Sequence, residues 1–219
     1  MCGISGVHSP KKSPEKLTSI AINMSKTIIH RGPDDNGVWI DKNYNLALSH
    51  RRLSIIDTSN GGHQPMSSQC SRYTIVFNGE IYNFQSLRKK IENFKSNIKW
   101  QGESDTEVLL EAISAWGLSS TLKNVEGMFA FALWDSVDGK LFLARDRFGE
   151  KPLYYGYIGK DFVFASELKA LRVHPDFKSS IDRDSISLFL QYSHIPSPKS
   201  IYKNIYKLKE SHLDIEKKM

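Results

Sequence analysis

Cysteine is nearly absent from this chain, with Cys2 and Cys70 as its only two thiols. Two are too few for a disulfide framework or a cysteine-rich zinc site, so the default expectation is a reduced, cytoplasmic protein. Long apolar runs are also missing. The longest, Met128 to Trp134, has seven residues, whereas a membrane-spanning helix needs about 20. The N-terminus offers no secretory signal, because Met1–Cys2–Gly3–Ile4 gives way to polar sequence by Ser9–Pro10–Lys11. No membrane partner is expected.

A strong charge of one sign is lacking as well. Thirty basic against 24 acidic side chains leave +6. Much of that excess sits at the end, where Lys199, Lys203, Lys207, Lys209, Lys217 and Lys218 face only Glu210, Asp214 and Glu216. A solvated basic tail accounts for this better than a phosphate-tracking patch, and no nucleic-acid partner is expected. What remains is an ordinary globular composition, 40% hydrophobic and 25% charged over 219 residues. That is enough to bury one full core.

Periodicity supplies the elements. Ser13–Pro14–Glu15 marks a helix start, and Leu17, Ala21, Met24 and Ile28 follow at helical spacing. Dense turn chemistry from His30 to Gly37 stops it. Strands are expected at Val38–Ile40, Leu46–Leu48 and Tyr73–Phe77. Asn83 is a candidate cap for a helix with Leu87, Ile91 and Phe94 on one face. Ser104–Asp105–Thr106–Glu107 is a capping box for another, ending at Gly117. Met128 to Trp134 is apolar at every position, as in a strand buried on both faces. Further strands are expected at Leu141–Ala144 and around Tyr155 and Phe162, and helical pattern returns at 167–171 and 182–191. Helices thus alternate with groups of hairpin-linked strands, the pattern of antiparallel sheets with helical layers. After Ile195–Pro196–Ser197–Pro198 the chain is Lys-rich with no clear core pattern, a candidate boundary.

Several residues have two readings. Removal of Met1 before the small residue Cys2 would place a thiol and a free α-amine on one residue, nucleophile and base together. A cysteine at position two is, taken alone, usually incidental. Asn78–Gly79 reads locally as a type I′ hairpin turn. Local pattern favours that turn, and the functional alternative is an oxyanion hole from a side-chain amide and a backbone N–H. Asp105 suits a first helical turn through the helix dipole alone. Arg52 is either a surface charge or a carboxylate clamp. His30, Asp34 and Asp35 are metal-ligand types, but Gly32–Pro33 between them and the lack of a spaced histidine favour a structural turn. No metal is expected, and Cys70 is given no role.

The segments in order resemble the class II glutamine amidotransferases. The carrying residues are Cys2–Gly3–Ile4–Ser5–Gly6, His30–Arg31–Gly32–Pro33–Asp34, Asn78–Gly79–Glu80–Ile81–Tyr82–Asn83 and Ser104–Asp105–Thr106–Glu107. Gly127 to Phe131, Arg145 to Gly149 and Lys151 to Tyr155 complete the set, which is collinear from residue 2 to about 207. His50–Arg51–Arg52–Leu53–Ser54–Ile55–Ile56–Asp57 looks like the asparagine synthetase B branch. The resemblance implies an α+β fold, the four-layer αββα sandwich of N-terminal nucleophile hydrolases. It implies Cys2 as nucleophile with its own amine as base, and Asn78 with the Gly79 N–H as the oxyanion hole. Arg52 would hold the α-carboxylate of glutamine and Glu80 with Asp105 its ammonium, with backbone around Leu53 and Ile55 lining the site.

The implied function is hydrolysis of L-glutamine to glutamate and ammonia for an ATP-dependent synthetase domain or partner chain. The relatives carry a Ser-Gly-Gly-x-Asp-Ser loop in an ATP-pyrophosphatase domain, and this sequence has none. The expected organisation is therefore a glutaminase domain over 2–195 and a basic linker or tail over 196–219 that stops before the synthetase domain. ATP and magnesium would belong to that absent domain, and no cofactor is expected in this chain. A homodimer is possible in this family. The alternative is an idle glutamine-binding or docking module left after loss of the synthetase half.

Overall fold

The computed structural model describes residues 1–95, 98–178, 180–211 and 213–216; His212, Lys217 and Lys218 of the expected tail lie outside them. The seven-residue apolar run falls within β6 (Gly127–Asp135), and its alternate side chains serve two cores. Phe129, Phe131 and Leu133 join a cluster with the helical residues Leu87, Ile91, Leu109 and Ile113. Ala130, Ala132 and Trp134 instead meet Ile4, Leu46, Leu48 and Phe164 of an opposing sheet. A strand with a core on each side has no polar face, which is why no alternation is visible in its sequence.

Two antiparallel sheets make up the middle of the fold. One has five strands in the order β11 (Leu213–Glu216), β7 (Lys140–Arg145), β6, β5 (Tyr73–Ile81) and β4 (Met66–Ser67). The other has six, in the order β10 (Ile205–Lys207), β8 (Tyr154–Ile158), β9 (Asp161–Ala165), β1 (Gly3–His8), β3 (Leu46–Arg52) and β2 (Asp35–Asp41). Helices α2 (Phe84–Phe94), α3 (Asp105–Trp116) and α4 (Leu118–Asn124) cover the five-stranded sheet. Helices α1 (Pro14–Thr27) and α5 (Leu168–Arg172) cover the other, with Leu17, Ile20, Ala21 and Met24 packed on Val7, Ala47 and Val163. This is the expected four-layer αββα sandwich. α6 (Arg183–Tyr192) buries only Ser185. No helix among the described residues is long and apolar enough to cross a membrane.

Three local readings change. Asn78 and Gly79 do not form a hairpin turn; β5 continues through them to Ile81. A type I′ turn needs positive φ at both central residues, and neither has it. Phe94 is not on the buried face of α2, being 67% exposed at the last turn. Beyond Pro198, where the sequence shows no core pattern, β10 pairs with β8 and both Ile205 and Leu208 are buried. A three-residue strand is too short to reveal its period.

Candidate active site

The pairing of β1 with β3 sets Gly3 opposite Arg51 and so carries Cys2 alongside Arg52 and Leu53. The Leu53 N–H donates to Cys2 Sγ at 3.4 Å, and the thiol faces the Leu53 carbonyl at 3.7 Å. Burial pushes the thiol pKa up, while the Leu53 N–H, the N-terminal ammonium and Arg52 pull the other way. Arg31 fixes the backbone here. Its Nε donates to the Cys2 carbonyl at 2.8 Å, and its Nη1 donates to Glu167 at 3.0 Å. The turn from His30 to Asp34 therefore braces the N-terminus, and Asp34 also accepts from the Ser54 N–H at 2.8 Å.

The second half of the site is the open edge of β5. The Phe129 N–H donates to the Asp146 carboxylate and its carbonyl accepts from the Asp146 N–H. Both polar groups of Phe129 therefore point away from Gly79, its register partner. In an antiparallel pair this turns the Gly79 N–H and C=O outward from β6 as well, together with those of Phe77 and Ile81. The outward N–H of Phe77 goes to Gln64 Oε1 at 2.7 Å and that of Ile81 to Asp105 Oδ2 at 2.9 Å. The Gly79 N–H, between them, faces the cavity. Only glycine fits there, because a Cβ would lie 2.4 Å from the Met128 carbonyl oxygen. Asn78 is 1% exposed, and its Nδ2 has no partner among the described residues. An orphaned buried donor is costly and so marks a place where a ligand atom is expected.

Charges are arranged around these donors. Buried Arg52 donates from Nη1 to the Ser59 carbonyl at 2.7 Å and from Nη2 to the Asp57 carbonyl. Those two bonds fix the plane of the guanidinium and leave further N–H groups for a ligand. Gly62 makes room for it, since a Cβ there would lie 2.0 Å from Nη2. Asp105 stands in the first turn of α3, whose cap is the Ser104 hydroxyl accepting from the Glu107 N–H. Burial, with the nearby Glu80 carboxylate adding to it, raises Asp105 to about 6 against bonds from the Ile81 and Thr106 N–H groups. Two adjacent carboxylates, one of them desolvated, form a site poised for a cation.

Cys2, Arg52, Leu53, Ile55, Asn78, Gly79, Glu80 and Asp105 all line one cavity of about 140 Å³. Ile55 forms its rim, 72% exposed. Gln64, Thr106, Met128 and Lys151 share the lining; the sequence assigns none of them a role, although Thr106, Met128 and Lys151 lie in the motifs that carry the resemblance. Lys151 is 7% exposed with its ammonium 3.3 Å from Met1 Sδ. The only signal for it is its place at the head of the Lys151 to Tyr155 motif. For Gln64 there was none.

A family model for the glutamine amidotransferase domain matches residues 1–219. The chain belongs to that family. It is a class II glutaminase domain of the N-terminal nucleophile type. Over 97% of its length it is 37% identical to asparagine synthetase (glutamine-hydrolysing) 3 of Bacillus subtilis, of which it spans 34%. Over 78% of its length it is 41% identical to asparagine synthetase B of Escherichia coli, of which it spans 30%. The domain therefore spans about a third of the length of these curated relatives. Among solved structures, the glutamine phosphoribosylpyrophosphate amidotransferase of B. subtilis superposes with a TM-score of 0.63. That likeness has 24% identity and covers 78% of this chain and 43% of the other. At that identity it speaks for the fold.

Proposed function

We propose that this domain hydrolyses L-glutamine to glutamate and ammonia through a γ-glutamyl thioester on Cys2. The observation that carries the reading is the meeting in one cavity of a half-buried thiol, the Asn78 Nδ2 that has no partner among the described residues, and Gly79 on the outward edge of β5. A free amino acid brings one carboxylate and one ammonium, and Arg52 against Glu80 and Asp105 matches that pattern. Once Met1 is removed, the Cys2 α-amine takes the thiol proton and the thiolate adds to the side-chain amide carbon. Asn78 and Gly79 hold the oxyanion. Collapse expels ammonia as the amine returns its proton, and water then cleaves the thioester to glutamate.

The released ammonia goes to an ATP-dependent, amide-forming synthetase, as a further domain or a partner chain. The similarity to glutamine-hydrolysing asparagine synthetases supports asparagine as the product of that step. ATP and its metal belong to the synthetase, and the boundary of the glutaminase domain falls beyond residue 195, because β10 and β11 pair into its two sheets. A reducing cytoplasm suits a free N-terminal thiol. A glutaminase assay, with mass spectrometry of the N-terminus, tests the reading. Ammonia release from the chain beginning at Cys2 is expected, and its absence there leaves only a glutamine-binding module.

A further inference from the structure

The pairing of β4 with β5 ends at Met66 opposite Ile75, so among the described residues no strand lies beside Phe77 and Gly79 on the cavity side. An unpaired edge has freedom to shift, and a displacement of about 1 Å at a catalytic group can cost about 10²-fold in rate. Here side chains replace the missing strand. Gln64 Oε1 accepts from the Phe77 N–H at 2.7 Å, while Gln64 Nε2 donates to Thr106 Oγ1 at 3.3 Å. His50 Nε2 donates to the Phe77 carbonyl at 3.0 Å. Gln64 is 4% and His50 1% exposed. The other His50 nitrogen, Nδ1, has no partner among the described residues, so the bond to Phe77 is the one hydrogen bond its imidazole makes there.

Thr106 follows Asp105, whose carboxylate accepts from the Ile81 N–H. The first turn of α3 therefore grips β5 twice: at residue 81 directly and at residue 77 through Gln64. Gly79 lies midway between the two grips. We propose that Gln64 is a positioning residue for the oxyanion hole. By tying Phe77 to Thr106, with His50 opposing it on the carbonyl side, Gln64 fixes the direction of the Gly79 N–H and the pose of Asn78. Within the protein its amide bonds to the Phe77 N–H and the Thr106 hydroxyl, so its part is to hold β5 rather than to react. The same linkage joins the donors of the oxyanion hole to the carboxylate that faces the substrate ammonium.

This inference rests on the glutaminase reading, and kinetics of the mature chain separate the two. Gln64→Met keeps the side-chain length and removes both hydrogen bonds. It is expected to lower kcat by about 10- to 100-fold, less than outright loss of an oxyanion donor. KM for glutamine should stay within about threefold, because ground-state binding is untouched. Thr106→Val releases only the far end of Gln64 and should lower kcat in the same direction by less. It carries the test if Gln64→Met fails to fold. A folded variant with unchanged kcat, or a raised KM at unchanged kcat, overturns the positioning role. An inactive wild-type chain overturns the glutaminase reading instead.

Discussion

Cys2 Sγ sits 3.4 Å from the Leu53 N–H, a backbone donor placed just past the end of β3 by the pairing of β3 with β1. The contact opposes the burial that raises the thiol pKa, and so favours the thiolate where it is needed. Cys2→Ala removes the proposed nucleophile but none of the groups proposed to hold the charged end of glutamine. Ammonia release should fall to background while glutamine binding, followed by calorimetry, persists. Continued ammonia release from the variant would refute the thioester route.

Asn78 lines the cavity beside Gly79, and its Nδ2 has no partner among the described residues. Asn78→Ala should therefore reduce kcat by about 10²–10³, or roughly 2.7–4 kcal/mol of transition-state stabilisation. KM should change little, because the developing oxyanion exists only after attack. The folded state should not suffer comparably, since that amide nitrogen has no partner to lose among the described residues. Steady-state kinetics beside a thermal melt would reveal the contrast, and a variant whose loss is all in KM would contradict it.

Most of this site was legible from residue types in order. Cys2, Arg52, Asn78, Gly79, Glu80 and Asp105 carry chemistry that a short motif displays, and the structure brings them to one cavity. Asn78–Gly79 was ambiguous because a hairpin and a strand edge use the same dipeptide. Only the phase of the β5–β6 ladder, set by Asp146 on Phe129, turns the Gly79 N–H outward. Gln64 and His50 were illegible for a different reason. Their partners are backbone groups of Phe77, 13 and 27 residues away, and a backbone acceptor leaves no mark on composition. The order of strands was likewise hidden, because β1 pairs with β3 and β9 across long stretches of intervening chain.

Asp105 predicts a pH dependence. Its carboxyl is raised from 3.8 to about 6 in the free protein, and a bound ammonium favours the ionised form. Affinity for glutamine should be full above pH 6 and fall as pH drops through 6, approaching tenfold per unit. The raised pKa also means that holding this group ionised costs folding stability above pH 6, by up to about 3 kcal/mol for a shift of about 2 units. Asp105→Asn should accordingly keep or raise the thermal midpoint at pH 7 while greatly raising KM. A flat KM between pH 5 and 7 in the wild type would exclude this role for Asp105.

Far from the cavity, Lys12 bridges two carboxylates, Asp161 and, at 2.7 Å, Asp176. Asp161 is also 3.1 Å from His174 Nε2, and both side chains are buried, at 4% and 0% exposure. Among the described residues, Asp161, His174 and Asp176 are the one group close enough to share a metal ion, but the Lys12 ammonium already supplies the positive charge. Lys12→Met would leave the Asp161 carboxylate buried beside a neutral imidazole, at a cost of about 3 kcal/mol. Burial holds His174 below its ordinary pKa, and Lys12 contributes to that depression while Asp161 opposes it. Without Lys12, His174 can take up a proton as Asp161's remaining partner. A folded pKa above the unfolded value adds stability below that unfolded value and loses it as pH rises through the folded one. The variant should therefore recover part of its lost stability between pH 7 and 5.5 in urea unfolding, relative to wild type. A deficit that stays constant over that range would show that His174 does not replace the lysine.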